Sequence, residues 1–210
     1  MGRHTRAVAA VGVTIAVAAI AGCSGSGAHG PAPTKTTANS AGQAQAAAPT
    51  ESNPPGDIPD NQAYVAYRPT SGSFSGFTVK VPEGWARTVQ GDTTTFTDKL
   101  NTITITSVPA SAAPTTGSVS ATVVPKLRAQ TPKFAAPKVS EVTRHAGHVV
   151  LLTYRGDSAK DPVTGKVVRD AFERYAYYRS GHGVNLTLSG PVNADNVDPW
   201  RIVSDSVTWR

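Results

Sequence analysis

The sequence predicts an α+β domain, an antiparallel β-sheet sandwiched by helices, and three observations lead there. Several stretches between Ala63 and Ser189 alternate apolar and polar residues with a period of two. Two others, near 117–130 and 198–207, change to a helical period. The connections between strands are of hairpin length, which favours antiparallel pairing with helices laid over the sheet.

The N-terminal elements concern location rather than fold. Met1–Arg6 is basic through Arg3 and Arg6, and residues 7–21 are uncharged and mostly Ala, Val and Ile. This is the pattern of a secretory signal, with an apolar run too short for a comfortable membrane span. Ile20-Ala21-Gly22-Cys23 resembles the bacterial lipobox. That likeness implies that the Cys23 thiol takes a diacylglyceryl group and that Cys23 then becomes the mature N-terminus. Two or more acyl chains of the palmitate kind, at about 0.8 kcal/mol per buried methylene, anchor a protein stably where one chain binds only marginally. The competing readings are an ordinary cleaved signal with a coincidental Cys, or an uncleaved span; position, flanks and the following Ser-Gly-Ser-Gly favour the lipobox. The expected location is therefore the outer leaflet of a bacterial plasma membrane. Cys23 is the only cysteine, which excludes an intrachain disulfide and thiolate ligation of zinc or iron–sulfur clusters.

Residues 24–56 are Ser, Gly, Ala, Pro, Thr, Gln and Asn, with His29, Lys35, Glu51 and no large apolar side chain. Such a stretch cannot bury enough surface to offset the entropy of ordering it. It reads as a tether with a span of roughly 30 Å. The expected organisation is a signal peptide over 1–22, a lipidated N-terminus and disordered linker over 23–56, and one globular domain over 57–210. The net charge of +6 includes Arg3 and Arg6 of the signal. The remaining Lys and Arg are spread out, without a run interleaved with aromatics, so no nucleic-acid partner is expected.

Within the domain, Ala63–Arg68 is a peripheral strand. Gly76–Trp85 alternates, with Phe77, Val79 and Val81 on one face, and closes in a Pro-Glu-Gly turn that delivers Trp85. Asp92–Asp98 is Thr-rich, and Asn101–Ser107 alternates again with Ile103 and Ile105 inward. Val119, Val123 and Leu127 then recur every four residues, predicting a helix over Gly117–Gln130 capped by Ser118 or Thr116. Pro125 should kink or divide it. Strands follow at Val139–His145 and Gly147–Arg155, and the unbroken run Val149–Leu152 predicts a central strand covered on both faces. Val167–Arg179 and Gly183–Ser189 pair across Ser180–Gly183, with Val184, Leu186 and Leu188 on one side. Asp198-Pro199 is a helix start, and Trp200, Val203 and Val207 form the buried stripe of the terminal helix.

Three groups of motifs stand out: Asp57-Ile-Pro-Asp-Asn-Gln62 with Gly76–Trp85, Asp161-Pro-Val-Thr-Gly-Lys166 with Arg169–Arg179, and Leu186-Thr-Leu-Ser-Gly-Pro191 with Asp198-Pro-Trp200. Together with the lipobox and linker, they resemble the actinobacterial, LpqN/LpqT-like lipoproteins with a Mog1/PsbP-like domain. The resemblance covers most of 57–210. It implies an antiparallel sheet between helices and action by binding other proteins, and it brings no active-site motif with it. A fold does not transfer a partner.

Each candidate catalytic or metal pattern in the sequence has a simpler reading. His145-Ala-Gly-His148 spaces two imidazoles three apart, but no third ligand of the right type is near in sequence, and two surface turn histidines are the favoured reading. Gly72-Ser-Phe-Ser-Gly76 puts Phe74 where a nucleophile elbow needs Ser, and Ser158-Ala-Lys160 is one residue short of Ser-x-x-Lys. Gly165-Lys166 lacks the earlier glycine and the following hydroxyl of a phosphate loop. Asn185-Leu-Thr187 matches a glycosylation sequon inside a strand and receives no role.

The polar loop Gly156–Lys166, with Asp157, Lys160, Asp161 and Lys166, reads first as a solvated connection, and it is also the first place for partner contacts, because long loops on rigid sheets carry recognition. Arg169, Arg174 and Tyr177 lie in an Arg- and Tyr-rich strand of the kind found at interface hot spots, although a sheet face half-covered by a helix has the same composition. Strict alternation places Arg174 beside Phe172 and Tyr178. Trp85 completes the set, either capping the core or lying on the surface. The reading is a non-enzymatic, lipid-anchored binding or adaptor module, expected to be monomeric and without a cofactor. It would be tied to the membrane through Cys23 and to a protein partner in the envelope. The alternative is a carrier of an envelope lipid or other apolar ligand, and a hydrolase of envelope material comes third.

Overall fold

The computed structural model describes residues 55–70, 72–160 and 165–210. Cys23, the signal, Asp161 and nearly all of the linker lie outside the described residues. The rest is an α+β fold of two antiparallel sheets. Its strands are β1 (Tyr64–Tyr67), β2 (Phe77–Pro82), β3 (Ala86–Gln90), β4 (Thr93–Asp98), β5 (Asn101–Pro109), β6 (Ala135–Arg144), β7 (Gly147–Asp157), β8 (Arg169–Arg179), β9 (His182–Pro191) and β10 (Thr208–Trp209). Seven form one sheet in the order β3-β4-β5-β9-β8-β7-β6, and three form a second in the order β1-β2-β10.

The alternations decide which face each strand buries. Ile103, Ile105, Val184, Leu186, Leu188, Tyr175 and Tyr177 point to one side of the large sheet, where Phe77, Val79 and Val81 of the small sheet meet them. Trp200, Val203 and Val207 join the same cluster. On the opposite face Val150, Leu152 and Tyr154 pack with Val119, Val123, Val124 and Leu127 from the first helical stretch. The run Val149–Leu152 is thus covered on both faces, as its composition requires. It is not central, because β7 is next to the edge strand β6.

That helical stretch consists of α1 (Thr116–Ser118), a π turn (Val119–Val123) and α2 (Val124–Gln130). Its cap is Thr115, one residue before the expected Thr116: Thr115 accepts from the Ser118 N–H at 3.0 Å, and Ser118 Oγ accepts from the Thr115 N–H at 2.9 Å. Pro125 sits in the first turn of α2, where its missing donor matters little, and the irregularity it imposes is the wide turn just before it, closed by Val124 N–H to the Val119 carbonyl.

The last helix, α3, runs Val197–Asp205, and its cap position is Asn196 rather than Asp198. The Asn196 side chain makes no capping bond because it is used elsewhere. It accepts from the Ile58 N–H at 2.9 Å and donates to the Gly56 carbonyl and to Asn101 Oδ1, each at 3.0 Å. This bolt ties the start of the domain to β5 and α3. Val207 is buried but lies beyond the helix end.

Two strands escape sequence reading. β3 is exposed along its whole length, so it has no apolar alternation, and β10 is only two residues long. The small sheet itself was not foreseen: β2 has an apolar face like any core strand, and only its partners β1 and β10 remove it from the main sheet.

Candidate functional site

The face of the large sheet under the first helical stretch is divided across its width. The register places Thr88, Thr95, Thr104, Thr187, Arg174, Leu152 and Val139 in one transverse row. The first four present hydroxyls to solvent and the last two lie under the helical stretch. Arg174 stands at the seam between the polar half and the apolar half. The next row repeats the division, with Thr93, Thr106 and Asn185 followed by Ala176 and Val150.

An open groove of about 420 Å³ follows this seam. The segment Val108–Pro114 forms one wall and Ser118, Val119, Thr122 and Val123 form the other, while Arg174, Ala176, Gly183 and Asn185 form its floor. Two small residues make the space. Ala176 stands where its neighbours on β8 are Tyr and Arg. A Cβ at Gly183 would lie 2.8 Å from Val108 Cγ2, so only glycine lets β9 approach the first wall this closely. Polar groups are few: the hydroxyls of Ser111, Ser118 and Thr122, the Asn185 amide and the Arg174 guanidinium.

Arg174 is half-buried and donates from Nη1 to Asn185 Oδ1 at 2.7 Å. Among the described residues its guanidinium has no carboxylate within 4.0 Å, because both ion pairs there belong to Asp157. Burial pushes the Arg174 pKa below its ordinary value, with Tyr154 opposing the shift. A guanidinium has five donors, so a desolvated one with a single fixed acceptor is an incomplete hydrogen-bonding group.

The other expected contact residues fall elsewhere. Asp157 and Arg169 come together, but as a structural clamp. Asp157 pairs with Lys133 at 2.9 Å and Arg169 at 3.4 Å, and Arg169 also donates to the Lys133 carbonyl at 2.7 Å. The hydrogen bond from Lys133 leads in holding the Asp157 carboxyl below the usual carboxylate range. These contacts fasten the end of the β7–β8 pair to the turn after α2. Lys160 is exposed at the edge of the segment 161–164, which lies outside the described residues. Trp85 follows Gly84, whose φ of +83° makes the turn, and lies half-buried against the larger core.

Tyr177 is among the residues bordering the groove, but its side chain turns away from it. It is 2% exposed, on the sheet face opposite Arg174, and its hydroxyl donates to the Ser204 carbonyl at 2.5 Å. The period of two that puts Arg174 at the groove necessarily puts Tyr177 in the core. His145 and His148 flank the exposed β6–β7 hairpin turn, and the described residues contain no group of three metal-ligating side chains.

One further titratable group stands out. Asp170 is 4% exposed and its Oδ1 has no hydrogen-bond partner. Burial, followed by the charge of Asp157, pushes its pKa from 3.8 up to about 6. Sequence reading missed Asp170, Ala176, Gly183 and the 108–114 wall. The one legible signal was Ala176, a small residue between Arg174 and Tyr178 on one face of the strand.

No family model matches the sequence, and no curated protein does either. Among solved structures, the chain is similar to a Bacteroides thetaiotaomicron protein at 9% identity and a TM-score of 0.45, covering 64% of this chain and 45% of that one. It thus spans less than half the length of that protein. It is also similar to LpqN of Mycobacterium tuberculosis, whose structure is described as that of a protein involved in cell envelope biogenesis. That likeness has 14% identity and a TM-score of 0.37, covering 71% of this chain and 85% of LpqN. A Pseudomonas aeruginosa protein of unknown function gives 14% identity and a TM-score of 0.35, covering 61% of this chain and 83% of its own.

Proposed function

We propose that this chain is a non-enzymatic binding module of a bacterial envelope, anchored through lipid on Cys23, that receives its partner or ligand in the groove between the helical stretch and the sheet. The lipobox, the linker and the quoted turn motifs support grouping it with the actinobacterial lipoproteins of the Mog1/PsbP-like kind. The groove carries the binding reading. Its volume of about 420 Å³ is that of a ligand site rather than a packing defect, within the ~300–1,000 Å³ usual for such sites. Its lining combines small apolar side chains with a few polar groups, and among the described residues it has hydroxyls but no carboxylate, imidazole or thiol to serve as a general base beside them. That composition supports binding over turnover. A second reading, a carrier of an apolar ligand, draws on the same apolar walls, whereas the core beneath the sheet is closed, with Ile103 and Leu188 fully buried.

The test is site-specific photocrosslinking in intact cells. A photoreactive side chain at Thr122, on the groove wall, should capture a discrete adduct, and one at Thr95, on the open Thr face, should not. Mass spectrometry of the adduct separates a protein partner from a lipid. Equal capture at both positions, or none at Thr122, would remove the groove from the reading.

A further inference from the structure

We infer that Arg174 is the anion anchor of the groove, and that the occupant is a monoanionic amphiphile: a carboxylate head paired with the Arg174 guanidinium and an acyl body lying along the apolar walls. This rests on the groove being the binding site. Three observations select the chemistry. The guanidinium stands on the groove floor with one fixed acceptor, Asn185 Oδ1, and no carboxylate of its own among the described residues. A planar fork with free donors in a partly desolvated place fits a carboxylate in bidentate geometry. Among the described residues, Arg174 is also the only cationic side chain lining the groove, so the charge to be balanced is one. A phosphate monoester carries nearly twice that and would be left partly uncompensated.

The body of the ligand follows from the remaining lining. Val108, Ala110, Ala113, Val119, Val123 and Ala176 offer methyl surface, and the described lining has no second charge to receive another ionic group. Asn185 holds the guanidinium from the polar side of the seam, so its free edge is available to the groove. Arg174 is therefore assigned to specificity: it should discriminate an acid from the matching alcohol, while the walls bind either.

The experiment uses the full lipidated chain in phosphatidylcholine nanodiscs and three diazirine probes of one short chain length, ending in a carboxylate, a phosphate or a hydroxyl. Adducts are mapped by peptide mass spectrometry. The acid should label residues 108–123 at concentrations at least tenfold lower than the alcohol, a difference of about 1.4 kcal/mol. Arg174→Gln should abolish that preference, and Arg174→Lys should retain part of it. Melting curves of both variants establish that each is folded. If acid and alcohol label the groove equally in the wild-type chain, the anchor is refuted while the groove remains a binding site. A phosphate probe that outcompetes the acid overturns the carboxylate assignment. Absence of any adduct at 108–123 sinks the groove reading and the anchor together.

Discussion

Asp170 offers a sharp test of the packing described above. It is buried on β8 with one carboxylate oxygen unpartnered, and its pKa rises from 3.8 to about 6. The folded state therefore holds the Asp170 proton more tightly than the unfolded chain does. Stability from this group is fully present below the unfolded value, falls as pH rises through about 6, and is absent above it. At about 1.4 kcal/mol per pH unit, the ionised carboxylate costs about 3 kcal/mol at neutral pH. Asp170→Asn keeps the shape and removes the charge. It should stabilise the domain by about 2–3 kcal/mol at pH 7.5, or about 5–10 °C in Tm for a domain of this size. Near pH 4 the two proteins should converge, because Asp170 is then protonated in the fold. Denaturant unfolding from pH 4 to 8 measures the difference, and Asp157, present in both proteins, largely cancels. Parallel stability curves would mean that Asp170 is not desolvated as described. A variant less stable than the wild type at every pH would mean that the carboxylate has a partner and that the orphaned oxygen is wrongly placed.

Two other outcomes follow from the sequence and the core. Cys23→Ala should leave an unprocessed precursor or release the protein, with loss of partitioning into a detergent phase; an unmodified Cys23 in the mature wild-type protein would refute the anchor. Trp200, 7% exposed and packed with Val203 in the larger core, should cost about 3–5 kcal/mol when truncated to Ala, and a loss below about 1 kcal/mol would mean that α3 does not dock through it.

The sequence by itself determined the class of the fold and the faces of its strands. Phe77-Val79-Val81, Ile103-Ile105 and Val184-Leu186-Leu188 each declare one buried side, because a period of two leaves no other way to bury them, and each is buried as read. The helical period of Val119, Val123 and Leu127 and the placing of Trp200 were equally local. Arg174's side of the sheet was legible for the same reason.

What the tertiary structure decided is every fact that depends on a neighbour distant in sequence. The period of two puts Tyr177 and Arg174 on opposite faces, but only the sheet's two coverings make one face closed core and leave a groove on the other. Asn196 looks like a spare loop residue until Gly56, Ile58 and Asn101 engage its side chain and Asp198 loses the cap position to it. Asp157 and Arg169 are loop and strand charges until Lys133 arrives from the turn after α2. The groove exists because a wall from 108–114, a helix with a π turn and the small residues Ala176 and Gly183 meet at one seam. Periodicity records which side of an element is wet. It cannot record where two elements stop short of touching, and that gap is the groove.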